Sequence, residues 1–270
     1  MSAENGVRLD VRLVRDGLAG GRDKAKELIL AGEVSVNGRT VTKPAASVSD
    51  DDTVECRRQA RYVGRGGEKL EKAIAETGWS PAGCFAMDIG ASTGGFTDCL
   101  LQHGAAHVYA VDVGHDQLHP RLRADDRVTV LENTDIRGEA LRRTVPPASI
   151  QWATADVSFV SLGSILPSVI PYLQEDAAVV CLIKPQFEAG RQWIGKRGIV
   201  RDHRAHQLVL ERSLTTFRGL GLSVHYLDYS PITGGDGNIE YLAVMRFCRT
   251  VSGLTEVPTG LVERTFGMLK

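Results

Sequence analysis

The stretch Asp88-Ile89-Gly90-Ala91-Ser92-Thr93-Gly94-Gly95-Phe96 constrains the fold more than any other part of this sequence. It follows a short apolar run at 85–89 and leads into a helical pattern, so it reads as a strand-to-helix turn. Glycines there let the backbone approach a ligand closely, and open α/β sheets bind ligands outside the carboxyl ends of their strands. A purely structural tight turn is the competing reading. The spacing is not the dinucleotide pattern G-x-G-x-x-G, because the second glycine comes four residues after the first. Apolar runs at 85–89, 107–111, 127–131, 151–155, 178–183, 223–229 and 241–247 alternate with helical segments. That alternation predicts βαβ units and a mostly parallel sheet covered on both faces.

Residues 7–56 read as a smaller module ahead of that domain. Leu9, Leu13 and Val14, then Ala25, Leu28 and Ile29, fall at helical spacing on either side of the glycine-containing stretch 17–21. Next, Val34-Ser35-Val36-Asn37-Gly38-Arg39-Thr40-Val41 alternates β-branched residues around Asn-Gly. This is the strongest short hairpin signal, since both turn residues tolerate positive φ. Lys43-Pro44 and the acidic run Asp50-Asp51-Asp52 precede a last short strand near 53–56. From Arg8 to Lys43, eight basic side chains stand against five acidic ones. They form either an ordinary solvated helix face or a surface for phosphates. Four arginines and no acids lie between Arg57 and Arg65, with Tyr62 as the aromatic. That segment is a cationic tether or a strip that touches RNA.

Overall charge does not select a partner: 32 Lys+Arg face 33 Asp+Glu, so any nucleic-acid affinity must come from local patches. The 43% hydrophobic content supplies a core and excludes disordered, collagenous and coiled-coil classes. Five scattered cysteines without a C-x-x-C read as reduced thiols, not as a disulfide frame or zinc site. No apolar signal segment opens the sequence, and the run 177–183 has seven residues where a membrane-spanning helix needs about 20. A soluble, cytoplasmic protein is expected.

Further chemistry-bearing residues sit at strand ends. Asp112 comes 24 residues after Asp88, where a carboxylate can accept hydrogen bonds from both hydroxyls of a ribose or simply shape a turn. Asp135 likewise faces an adenine amino group or shapes a turn. Asp156 and Lys184 end the fourth and fifth strands, at the rim where a parallel sheet builds its site. A lysine directly after Val-Val-Cys-Leu-Ile is a costly charge unless paired or used. Lys69 precedes the first strand and Glu240 enters the last. Taken singly, these two are an ordinary helix lysine and an ordinary strand-edge charge.

The pattern R-L-D-x-x-L-V-R-x-G-L-A-x-x-R-x-x-A-x-x-L-I-x-x-G-x-V-x-V-N-G at 8–38 resembles the S4 RNA-binding domain. The resemblance implies a basic helix face and hairpin against RNA, with Arg8, Arg12, Arg22, Lys24, Arg39 and Lys43 as contacts. Arg61 and Arg65 of the linker, and Arg191 and Arg197 further on, would join them. Gly21 stands where S4 domains usually place a capping serine. The turn D-x-G-x-x-x-G-G-F with Asp112 and Asp135 resembles the S-adenosylmethionine-dependent class I methyltransferases. Cofactor contacts implied by that likeness are Asp88, Gly90, Ala91, Ser92, Thr93, Gly94, Gly95, Phe96, Asp112, Val113, Asp135 and Asp156.

The order Lys69, Asp156, Lys184, Glu240 is similar to the catalytic set of FtsJ-like ribose 2′-O-methyltransferases. The two parts together resemble the TlyA family, also labelled hemolysin A, which methylates cytidine 2′-oxygens of ribosomal RNA. Some members act on large-subunit RNA alone, and longer ones, which this chain favours, also on small-subunit RNA. The fold expected is α/β, with a small S4-like domain (7–56) and a basic linker (57–65). A class I, Rossmann-like, seven-stranded methyltransferase domain (66–250) and a tail with one short helix (251–270) follow. Ribosomal RNA or a ribosomal subunit is the expected partner, not a membrane, for a monomer or weak dimer.

In that reading Lys184 lies nearest the acceptor 2′-OH as base or alkoxide stabiliser. Asp156 and Glu240 orient it, and Lys69 tunes the charge or holds the nucleotide. Basic residues around Trp193 within 191–204 suit an RNA backbone with one unstacked base, or form an ordinary surface loop. Other motifs compete. Gly90-Ala91-Ser92-Thr93-Gly94 spells the G-x-S-x-G nucleophile elbow, but His203, His206 and His225 lie in no triad context. His115-Asp116-Gln117-Leu118-His119 is followed by Pro120 and has no evident third ligand, so no metal is expected. A lytic protein would need a spanning or long interfacial helix, and a non-catalytic RNA binder would not need the four-residue set.

Overall fold

Short-range choices build the first elements. The computed structural model describes residues 6–56, 61–234 and 237–268, and at Lys196 the backbone alone. The chain divides into two compact units, one up to Gly64 and one from Arg65. In the first, β1 (Val7–Arg8) runs into α1 (Leu9–Arg15), followed by α2 (Arg22–Leu30), β2 (Val34–Val36), β3 (Arg39–Thr40), β4 (Ser47–Val48) and β5 (Val54–Cys56). Leu9, Leu13, Ala25, Ile29 and Val34 bury completely and form its core. Those are the helical-period apolar residues together with the first hairpin residue. Asn37 and Gly38 take φ of 50° and 75°, the double positive φ that an Asn-Gly hairpin turn requires. Strands β3, β2 and β5 form one small sheet, and β1 pairs with β4 in another. Gly21 precedes α2 in an extended conformation and offers no side-chain cap.

The second unit holds α3 (Gly66–Thr77), β6 (Phe85–Ile89), α4 (Gly95–Gln102), β7 (His107–Val111), α5 (Pro120–Arg123), β8 (Val128–Leu131), α6 (Glu139–Thr144) and β9 (Ile150–Ala155). It continues with α7 (Leu162–Val169), β10 (Leu173–Ile183), α8 (Pro185–Glu188), α9 (His203–Gly219), β11 (Leu222–Tyr229), β12 (Tyr241–Phe247) and α10 (Leu261–Met268). Its seven-stranded sheet has the order β11-β12-β10-β9-β6-β7-β8. Strands β10, β9, β6, β7 and β8 are parallel, and β12 runs antiparallel to both neighbours. Residues of α6, α7, α9 and α10 pack with Met87, Ile89, Val179 and Cys181 into one core, while α3 and α4 contact each other and reach β12 and β7.

Register explains why distant residues meet at one rim. Ile89 pairs with Ala155, Ala155 with Cys181, and Ile183 with Tyr241. Residues just past β6, β9 and β10 therefore lie at the same sheet edge. Because β12 is reversed, the residue that enters it arrives there as well. Helix α10 contributes Leu261 and Val262 to the main core, so the C-terminal segment is part of the packed unit. No helix among the described residues is long and apolar enough to cross a membrane.

Candidate active site

The glycine turn is pinned from three sides. Backbone N–H groups of Gly90 and Ala91 donate to Val111 O at 2.9 and 3.2 Å. Asp112 accepts from the Ser92 N–H and the Gly114 N–H, each at 2.7 Å. Gly90 and Gly94 take φ of 80° and 95°, and a Cβ on Gly90 would stand 2.6 Å from Asp156 O. Only glycine permits that approach, so the turn rests directly against the loop that carries Asp156. Beneath it, Asp88 is fully buried and accepts hydroxyl hydrogen bonds from Thr97 at 2.7 Å and Thr154 at 2.9 Å. Burial pushes this carboxyl up to about 6.

A cavity of about 810 Å³ opens over the turn, walled by Gly90, Ala91, Ser92, Thr93, Gly95 and Phe96 on one side and by Lys69, Asp156, Lys184 and Glu240 on the other. Several expected cofactor residues lie elsewhere. Asp88 cannot contact a ligand there and instead braces the turn against α4 and β9. Gly94 packs towards Leu118 and Leu122. Val113 is exposed outside the wall, and Asp135 is tied to Arg137 through Nε at 2.8 Å and the backbone N–H at 2.9 Å, which makes it a turn residue. Asp112 also lies outside the wall, joined to it through Ser92. Each of its oxygens keeps a second lone pair for a ribose hydroxyl.

The four candidate catalytic residues converge into one chain of charges. Lys69 Nζ lies 2.6 Å from Glu240 Oε2 and 3.5 Å from Asp156 Oδ2, and Lys184 Nζ lies 2.6 Å from Asp156 Oδ1. Lys184 also donates to Ser158 Oγ at 3.1 Å. Both lysines are 7% exposed and Glu240 3%, so each charge is compensated within the wall rather than by bulk water. One detail departs from expectation: Glu240 partners Lys69, and among the described residues Asp156 is the carboxylate that reaches Lys184. Entering the sheet on reversed β12, Glu240 comes up opposite α3 rather than over the end of β10.

Several residues of the wall were not singled out in the sequence. Ser158, Phe159, Gln186 and Phe187 all line the cavity. Their signal was adjacency, since they sit within three residues of Asp156 or Lys184. Phe159 holds φ of 65°, is 91% exposed, and lies 5.1 Å from Phe187, centroid to centroid. Trp193, in a stretch read either as an RNA contact with one unstacked base or as an ordinary surface loop, packs half-buried against the main core. Arg65 and Arg191 line the cavity, and Arg197 is exposed beyond it with φ of 72°.

Competing motifs dissolve in the structure. Ser92 Oγ has no histidine partner among the described residues, and His206 is committed to Tyr241 OH at 2.9 Å and Val200 O at 3.0 Å. His119 caps α5 by accepting from the Arg121 N–H. His115, Asp116 and Glu132 do cluster within 4.8 Å. Glu132, however, already accepts three backbone N–H groups and the Arg123 guanidinium.

The first unit spends much of its basic charge on itself. Arg12 is buried against Asp16 and the carbonyl of Ser49, a fastening role that removes it from the RNA-facing set. Arg15 pairs with Asp50, Lys24 with Glu27 and Lys26 with Asp23. Asp52 accepts from the Ser49 N–H and from Asn37, so the acidic run shapes the module as well as solvating it. Arg8 and Arg22 share Asp10 while remaining half-exposed. Arg39 and Lys43 are exposed and make no ion pair among the described residues. Arg61 lies over the Tyr62 ring at 5.5 Å, and linker residues 57–60 fall outside the described residues.

Comparison with known proteins agrees with this geometry. Residues 62–247 match the FtsJ-like methyltransferases and residues 7–54 match the S4 domain. YqxC of Bacillus subtilis, which carries a provisional name as an rRNA methyltransferase, is 48% identical over 87% of this chain and 84% of its own. The 16S/23S rRNA (cytidine-2′-O)-methyltransferase TlyA of Mycobacterium tuberculosis is 41% identical over 89% and 90% of the two chains. A solved structure from Streptococcus thermophilus, described as a candidate hemolysin, superposes with a TM-score of 0.75 at 43% identity, covering 98% of this chain and 97% of that one. A glycine turn braced on Asp112, four charges meeting at one sheet edge and these matches lead to one assignment: the chain belongs to the FtsJ-like methyltransferase family, with an S4 domain preceding the enzyme domain.

Proposed function

We propose that this protein transfers the methyl group of S-adenosylmethionine to the ribose 2′-oxygen of a cytidine in ribosomal RNA. The observation that carries this reading is the continuous charge chain Glu240–Lys69–Asp156–Lys184 facing the glycine turn across one cavity. The turn 90–95 and Asp112 would hold the cofactor, which would supply an electrophilic methyl on a sulfonium. A 2′-OH is a weak acid; as its oxygen bonds the methyl carbon, the carbon–sulfur bond would break to leave a neutral thioether and the hydroxyl proton would pass to solvent, so the attack depends on stabilising the charge that develops as the O–H bond weakens. Lys184 is ion-paired with Asp156 Oδ1 at 2.6 Å and donates one N–H to Ser158 Oγ, which leaves its ammonium free to face that oxygen. Held so, it stabilises alkoxide character without reorganising at the moment of transfer. Lys69, clamped by Glu240, fixes the other side of Asp156. Positioned proton-transfer or charge stabilisation is worth about 10²–10⁴-fold, and holding the two reactants together supplies much of the rest.

Residues 7–56 anchor the RNA and residues 66–250 carry out the transfer in the cytoplasm, with free ribosomal RNA or a ribosomal subunit as partner. Exposed Phe159 offers a stacking face for the acceptor base once it leaves its helix, and Arg65 and Arg191 at the rim suit the flanking phosphates. Large-subunit RNA is the primary acceptor and small-subunit RNA a second. The test is incubation with S-adenosylmethionine and purified ribosomal RNA or subunits, then mapping of the modified nucleotide. A methyl on the ribose makes the following phosphodiester resistant to alkali. A methyl found on a base atom, or no transfer to either form of RNA, would overturn the proposal.

A further inference from the structure

Asp10 is an acid in the middle of the basic surface of the first unit, with a side chain that is 0% exposed. A buried carboxylate is costly unless its oxygens are satisfied by positive partners, and here both are. Arg8 Nε donates to Oδ1 at 2.9 Å, Arg8 Nη2 to Oδ2 at 2.9 Å, and Arg22 Nη2 to Oδ2 at 3.2 Å. The carboxylate is thus accessible only through two guanidiniums, and hydrogen bonding from Arg8 holds it well below the usual carboxylate range. The arginines themselves stay 49% and 57% exposed. Arg8 Nη1 and Arg22 Nε and Nη1 have no protein partner among the described residues. Backbone bonds fix the carboxylate in turn: Leu9 N–H donates to Ala46 O at 2.8 Å and Asp10 N–H to Pro44 O at 3.0 Å.

We infer that Asp10 is a positioning residue for RNA binding, holding Arg8 and Arg22 as a preformed two-guanidinium clasp for a backbone phosphate. The inference rests on the proposed role of the first unit as the RNA anchor. It opposes simple electrostatics, in which a negative charge beside the phosphate site weakens binding and its removal strengthens it. Preorganisation has the reverse sign. Freed from Asp10, each long arginine must be ordered on binding, and affinity falls although net positive charge has risen.

The experiment measures binding of the full-length protein to purified ribosomal RNA between about 50 and 200 mM salt, where phosphate contacts set the slope. Asp10→Asn is expected to bind about tenfold more weakly than wild type with a shallower salt dependence, while cofactor affinity is unchanged. Arg8→Lys keeps the charge but loses the paired N–H donors, and is expected to lose affinity several-fold. This second variant carries the test if Asp10→Asn does not fold. Binding by Asp10→Asn as tight as or tighter than wild type, or by Arg8→Lys equal to wild type, overturns the inference. The double variant Arg8→Glu, Arg22→Glu separates the two levels: if it binds as wild type does, the anchoring role of the first unit fails instead.

Discussion

Gly90→Ala is the substitution whose outcome the structure fixes most tightly. At φ of 80° an alanine pays about 1–2 kcal/mol for the left-handed region. Its Cβ would also lie 2.6 Å from Asp156 O, 3.0 Å from Asp156 C and 3.4 Å from Val157 Cα. All three are backbone atoms, so no rotamer change relieves the contact. The loop after β9 must withdraw by roughly an ångström, and forced overpacking of this kind costs about 1–3 kcal/mol. The sum is a stability loss of about 2–5 kcal/mol. Withdrawal strains the hydrogen bond from Asp156 N–H to Ile89 O and moves the carboxylate away from Lys184. A misplacement near 1 Å costs about a hundredfold in rate.

Gly94→Ala is the control. It has φ of 95°, but its Cβ meets the side-chain ends of Leu122 and Leu118, which can turn aside. Urea unfolding and single-turnover methyl transfer at saturating cofactor read both variants. The expectation is a loss of stability in each, with the hundredfold rate loss confined to Gly90→Ala. A folded Gly90→Ala enzyme within threefold of the wild-type rate would refute the link between the glycine turn and Asp156.

Other residues make separate predictions. The folded protein holds the Asp88 proton more tightly than the unfolded chain does, with a value of about 6 against 3.8. The stability this contributes is full below pH 4 and lost as pH rises through 6, so the urea midpoints of wild type and Asp88→Asn should separate over that window; parallel curves contradict the assignment. Glu240→Gln removes the closer negative charge from Lys69, leaving Asp156 at 3.5 Å as its anionic partner among the described residues, and should cost about 3 kcal/mol on unfolding. It should also reduce methyl transfer while cofactor affinity, read by calorimetry, stays at the wild-type value. Arg12→Ala should destabilise the protein by about 2 kcal/mol without altering the salt slope of RNA binding, since its guanidinium is used internally. Arg39→Ala should lower that slope by about 1 with little loss of stability.

Much of this arrangement is legible in the sequence, and the parts that are not share a cause. Strands 85–89, 107–111 and 241–247 coincide with β6, β7 and β12 because each is an apolar run with clear ends. The start of β10 at Leu173 was hidden by Gln174-Glu175-Asp176, where the register shifts and Asp176 adopts φ of 63°. Pairing of β1 with β4 rests on two residue pairs, too few to leave a pattern. Lys69, Asp156, Lys184 and Glu240 could be chosen by type and place, but which acid holds which lysine follows from β12 being reversed. Asp88 looked like a ligand contact by motif, whereas the hydroxyls of Thr97 and Thr154 draw it under the turn. The basic face of the first unit misled in the same way. Charge is countable in sequence, but the pairing of Arg12, Arg15 and Lys26 with nearby acids is set by three-dimensional packing.

In the proposed mechanism Lys184, held by Asp156 and Ser158, acts on the acceptor 2′-OH. Single-turnover methyl transfer from labelled S-adenosylmethionine to ribosomal RNA, with wild type beside Lys184→Ala, tests it most directly. The expected result is label on a ribose 2′-oxygen with the wild-type protein, and a rate at least about a hundredfold lower in the variant at unchanged cofactor and RNA affinity. A Lys184→Ala protein that binds both partners and methylates the same oxygen at the wild-type rate would contradict it.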